Sequence, residues 1–192
     1  IMLKKWFNLI IIGIELCCII GLTGCSGCMG CNIVKSGNVG VVTKFGRVFD
    51  EELPAGFHLI NPLKSIEQMS IRTQEYTMTQ VSTEGAVKGD DSIPALTKEG
   101  LKVSLDATIL YHLDPIRADE VFSLLGMDYV DKIIRPPVRQ SLRTVIGNYT
   151  AEELYSTSRD IIAETVFNDV ARETLKRGII IEKLLIRNIE LP

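Results

Sequence analysis

Three thiols at two equal steps, Cys25, Cys28 and Cys31, are the residues in this 192-residue sequence whose type and spacing point most directly to chemistry. Thiolates at that interval are soft metal donors, and Cys-x-x-Cys-x-x-Cys is the first part of a ferredoxin-type cluster run. Such a cluster needs a fourth thiolate, and no cysteine follows Cys31. Cys17 and Cys18 lie inside an apolar run, where a thiol is an inert small hydrophobe or an acylation site. A metal-binding or redox role for Cys25, Cys28 and Cys31 therefore stands as the alternative reading. The two histidines offer less. His58 follows a proline turn and His112 falls on the polar side of a strand pattern, so both read as surface or hydrogen-bonded residues. No serine or cysteine has a nucleophile-elbow context and the glycines match no phosphate-binding spacing, so no catalytic residue, cofactor or small-molecule substrate is expected. The acids Asp50-Glu51-Glu52 and Asp90-Asp91 sit in turn-like segments and read as solvated faces.

The cysteines are placed by what precedes them. Lys4 and Lys5 lead into an apolar run in which ten of the residues from Phe7 to Leu22 are Leu, Ile or Phe. At about −0.3 to −0.6 kcal/mol each, these outweigh the cost of Glu15, which is on the order of 3 kcal/mol. A retained anchor would use Trp6, Phe7, Leu9, Ile10, Ile11, Ile12, Ile14, Leu16, Ile19, Ile20 and Leu22. Residues 6–24 make up about the ~20 residues that cross a hydrocarbon core. Leu22-Thr23-Gly24-Cys25 also resembles a lipobox, in which a small-residue cleavage site precedes a cysteine that is lipidated. Cys25 is then a candidate lipidation site. Both readings leave a membrane tether with the following domain on the non-cytoplasmic side. Ile1 before Met2 is no ordinary initiator, which suggests that the numbering begins within a longer frame.

With residues 1–31 assigned to that anchor or signal and 32–38 to a linker, residues 39–192 are expected to form one domain with a real core. The net charge from residue 32 onward is −4, the −3 of the whole chain less the +1 of Lys4, Lys5 and Glu15. That balance argues against nucleic acid as a partner. No cysteine beyond Cys31 means no disulfide framework in the domain.

The elements come as strands first and helices later. Residues 39–49 read as a strand, 50–56 as a turn, 58–60 as a short strand, and 65–78 as extended chain with a bulge between Ile66 and Met69. Residues 80–92 are polar and read as an exposed loop. The cleanest signal is residues 101–113, where Leu101, Val103, Leu105, Ala107, Ile109, Tyr111 and Leu113 alternate with polar positions. Those residues should pair in a hairpin with 93–96. Asp114-Pro115 opens a helix predicted to stop at Gly126. A second helix begins near Met127, is broken at Pro136-Pro137 and resumes to Ile146. Thr150 with Glu153 is a capping box. Residues 158–177 carry an apolar stripe of Ile162, Ala163, Val166, Phe167, Val170 and Leu175, with Gly178 as cap. A last strand covers 179–191. The class is α+β, a mostly antiparallel sheet with helices packed on it.

Gly37-Asn38-Val39-Gly40-Val41-Val42-Thr43-Lys44-Phe45-Gly46-Arg47 and Leu53-Pro54-Ala55-Gly56-Phe57-His58-Leu59-Ile60-Asn61-Pro62 resemble the opening of the prohibitin branch of the stomatin, prohibitin, flotillin (SPFH or band 7) family. Thr97 to Val103, Tyr111 to Pro115, Tyr149 to Tyr155, Arg177 to Ile179 and Ile189 to Pro192 continue the resemblance in order. It implies an SPFH domain and a noncatalytic, membrane-anchored scaffold. Its implied partners are membrane lipid, further copies of itself or a paralogue in a large oligomer, and a membrane protease. Members continue into a coiled coil, whereas the sequence given stops at Pro192. Phe57, Leu59, Ile60 and Leu63, apolar beside prolyl turns, are candidates for dipping into the membrane interface.

Overall fold

The computed structural model describes residues 30–81, 84–87, 89–155 and 158–190. The anchor residues, Cys25 and Cys28 lie outside them. Among the described residues, no helix is long and apolar enough to cross a membrane.

Among the described residues, nine strands form three antiparallel units. β1 (Cys31–Val34) pairs with β4 (Gly56–Leu59) as a two-stranded ribbon. β3 (Arg47–Leu53), β2 (Asn38–Lys44) and β5 (Ser65–Ser70) form a sheet with β2 in the centre. In the third unit, β8 (Lys102–Leu113) is the central strand. Along one side it pairs with β6 (Gln74–Met78) and then β7 (Ile93–Leu96), and along the other with β9 (Ile179–Glu190).

The alternation that announced β8 is reproduced. Val103, Leu105, Ala107, Ile109, Tyr111 and Leu113 are all buried, and the main core gathers around them. Asp114 accepts from the Ile116 N–H at 3.1 Å, capping a 3-10 turn that leads into α1 (Ala118–Leu125), and Gly126 ends that helix at φ +76°. A π-helical turn over Val130–Ile134 then runs directly into α2 (Arg135–Ile146). Pro136 and Pro137 therefore lie in the first turn of α2, directly after the π-helical turn, and the helical backbone continues through them. The Thr150 and Glu153 side chains each accept from the other's backbone N–H, at 3.3 and 2.8 Å, opening α3 (Ala151–Tyr155). In α4 (Ser158–Leu175), Ile162, Val166 and Val170 are buried as expected. The fourth member of the stripe is Thr174, four residues after Val170, while Leu175 faces solvent.

Further expectations are corrected. The segment read as a linker, residues 32–38, contains most of β1. Residues 39–49 are a hairpin, turning at Phe45-Gly46, and β3 continues to Leu53 through the acids read as a turn. Residues 65–78 hold no bulge at Ile66 to Met69, because β5 pairs with β2 in unbroken register and the chain then leaves for a different sheet as β6. Asp91 is not solvated: it is buried at 2% exposure.

Candidate functional site

The ribbon is the least ordinary surface of the domain. Its register sets Cys31 opposite Leu59 and Ile33 opposite Phe57, so alternation puts these four side chains on one face. All four are exposed, Ile33 at 68%, Phe57 at 65% and Leu59 at 75%. Val34, on the other face, is buried. Gly40 makes this seat possible, because a Cβ there would lie 2.9 Å from Val34 Cγ2 and 2.7 Å from Ile66 Cγ2. The ribbon is thus fixed to the central strand β2 by one side and shows an apolar side outward. Leu63, in the following loop, is 57% exposed, while Ile60 is half-buried. Of the four candidate dipping residues, Phe57, Leu59 and Leu63 form part of the exposed surface and Ile60 does not stand out from it. Ile33 and Cys31 share this exposed face and were passed over, Ile33 because residues 32–38 read as a linker and Cys31 because it was assigned to the anchor segment 1–31; the alternation of Cys31 and Ile33 with Asn32 and Val34 was the available signal.

Polar side chains elsewhere meet one another and the backbone. His58 Nε2 lies 2.7 Å from the Pro54 carbonyl oxygen. His112 Nδ1 lies 2.6 Å from Glu182 Oε1, and Thr73 donates to that same oxygen at 2.9 Å. A catalytic triad would join the hydroxyl to the imidazole, whereas here both meet the acid. The Asp91 carboxylate receives Arg135 and, at 2.7 Å, Arg139. Arg139 also donates to the Asp91 and Ser92 carbonyls, and Arg143 Nε donates to Pro94 O at 3.0 Å. Arginines at i, i+4 and i+8 of α2 therefore hold the segment 91–94, which leads into β7. The bond to Asp91 drives the Arg135 guanidinium still further above its ordinary range. Nearby, burial and then the bond to Asp131 push the Tyr76 hydroxyl up to about 12.

Asp50, Glu52 and Asp119 bring carboxylate oxygens within 4.8 Å of one another, between β3 and α1. Burial raises the Glu52 carboxyl above the usual carboxylate range, and the hydrogen bond and charge of Asp119 add to it. Two carboxyls this close resist being ionised together.

The sequence pattern described as "SPFH domain / Band 7 family" matches residues 32–192. A band 7 family protein of Acanthamoeba polyphaga mimivirus is 30% identical over 163 residues, which are 83% of this chain and 47% of that protein. Mitochondrial prohibitin-4 of Arabidopsis thaliana is 24% identical over 121 residues, covering 62% of this chain and 39% of the relative. Prohibitin 1 of Drosophila melanogaster is 22% identical over 100 residues, covering 51% and 36%. The chain spans about half or less of the length of each of these three relatives.

Proposed function

Because the chain belongs to the SPFH/band 7 family, we propose that it is a noncatalytic scaffold held at a membrane, with the β1/β4 ribbon laid against the bilayer. The observation that carries this reading is the outward apolar face of Cys31, Ile33, Phe57 and Leu59. A contiguous apolar surface on a structure this small is a docking surface for something. The bilayer is the occupant best supported by the sequence, since eight residues separate Leu22 from Cys31 and, fully extended, can span at most about 30 Å. If residues 6–22 enter a membrane, the ribbon cannot stand far from it. Complete burial of one such side chain contributes about 1.5–3 kcal/mol. Three of them, with Leu63, suffice to hold a tethered domain flat against its own bilayer.

The scaffold part of the proposal is assembly of many copies, alone or with a paralogue, around lipid or a membrane protease on the non-cytoplasmic side. Mass measurement of the full chain extracted in mild detergent tests it. Particles at multiples of 21.3 kDa are expected, and a strictly monomeric extract would overturn the assembly. For the ribbon, the triple replacement of Ile33, Phe57 and Leu59 by serine should abolish protection of β4 from soluble protease in vesicles. Unchanged protection would overturn the membrane contact.

A further inference from the structure

The turn joining β2 to β3 is built against its own backbone preference. Phe45 and Gly46 both have positive φ, +50° and +81°, as in the two-residue hairpin turns where asparagine and glycine are the ordinary occupants. A bulky L residue there is strained, and Phe45 is the one non-glycine residue with positive φ among those described. Its ring is 84% exposed, so the strain is not offset by burial. Strain kept without a structural return points to use.

The surroundings indicate what use. Lys44 Nζ lies 5.9 Å from the Phe45 ring centroid, while the Arg47 guanidinium and Lys64 Nζ lie 5.8 and 5.2 Å from that of Phe49. Among the described residues neither Lys44 nor Arg47 has a carboxylate within ion-pair distance, and Lys64 meets Glu51 at 3.1 Å. In a chain of net charge −3, this cluster of cations stands out. The register brings the turn to the entry of the chain. Thr43 pairs with Ser65, residues 61–64 form the loop just before it, and the Ile60 N–H donates to Gly30 O at 2.7 Å.

We infer that the Phe45-Gly46 turn is a second membrane contact, with Phe45 wedged at the bilayer interface and Lys44, Arg47 and Lys64 meeting the phosphates of anionic lipid head groups. The inference rests on the ribbon reading above and adds the lipid class. Each basic side chain near an anionic surface strengthens attachment by about fivefold.

Trp6 is the chain's single tryptophan, so a Trp6→Phe background is silent and accepts one reporter at a time. The full chain carrying Phe45→Trp or Phe57→Trp is reconstituted in vesicles containing phospholipid brominated near the head-group end of its acyl chains. Both reporters should be quenched when anionic phospholipid is present. In neutral vesicles Phe57→Trp should stay quenched while Phe45→Trp loses most of its quenching, and adding Lys44→Glu with Arg47→Glu should have the same effect. An unquenched Phe45→Trp beside a quenched Phe57→Trp overturns the turn contact alone. Equal quenching of Phe45→Trp with and without anionic lipid overturns the head-group assignment. A blue-shifted but unquenched Phe45→Trp means burial against protein, such as a second copy, and also overturns it. Neither reporter quenched overturns the ribbon reading as well. Separately, Phe45→Asn should raise the thermal midpoint while weakening attachment by about tenfold or more; a lower midpoint would remove the strain argument.

Discussion

Asp91 holds the most consequential charge in the domain. Its carboxylate is out of solvent, and the two guanidiniums that neutralise it come from one face of α2. Removing one member of a buried ion cluster leaves the rest uncompensated, which costs about 3–5 kcal/mol. Asp91→Ala should therefore lower denaturant stability by that order, and Asp91→Asn by less, since it keeps hydrogen-bond acceptance. Nothing local marks this arrangement, because Asp90-Asp91 lies in a polar stretch and Arg135 and Arg139 follow 44 and 48 residues later. Glu52 was equally hidden, since its partner Asp119 belongs to a helix that folds back onto β3. A raised folded-state pKa means that the native state holds the proton more tightly. The stability it adds is full in acid and lost as pH rises through the raised value. Glu52→Gln, which cannot ionise, should raise the melting midpoint at neutral pH and converge with the parent in acid. A pH-independent difference would show that the two carboxyls do not resist being ionised together.

Among the elements, those with a strong local rule were legible. β8 alternates over its whole length, α1 has Asp114, Pro115 and Gly126 as punctuation, and the Thr150/Glu153 box closes as its spacing requires. Thr150→Ala should cost about 1 kcal/mol of stability, checked by chemical denaturation. Elements defined by distant pairing were not legible. β1 is four residues long and exists through β4, more than twenty residues away. The β2–β3 turn was missed because phenylalanine is a poor marker of a tight turn. Leu175 looked like part of the α4 stripe by hydrophobicity. Helical geometry instead carries the buried row from Val170 to Thr174, whose hydroxyl finds Ala171 O at 3.4 Å. Thr174→Val should be neutral or stabilising for that reason, and a loss of more than about 1 kcal/mol would assign the hydroxyl a larger role.

At the scale of the molecule, two polar devices and one apolar one face different ways. The α2 arginines hold the segment 91–94 that leads into β7, and Glu52 and Asp119 bring acids of the hairpin and α1 together. The ribbon leaves an apolar face open beside the point where the chain enters. The α+β class and the family pattern were readable from order and alternation across the chain. Which surface faces outward was not, because exposure depends on the seat that Gly40 gives Val34.

β8 and β9 pair residues as far apart as Ser104 and Glu190. Closing a loop of that length is slow, since chain entropy is lost before the ladder repays it. The hairpins β2–β3 and β7–β8 can form from a short length of chain, but the main sheet waits for β9. During synthesis the edge of β8 that pairs with β9 would stay without its ladder until β9 is made. That interval is when a nascent copy is open to chaperones, to proteases, or to a strand from the copy beside it.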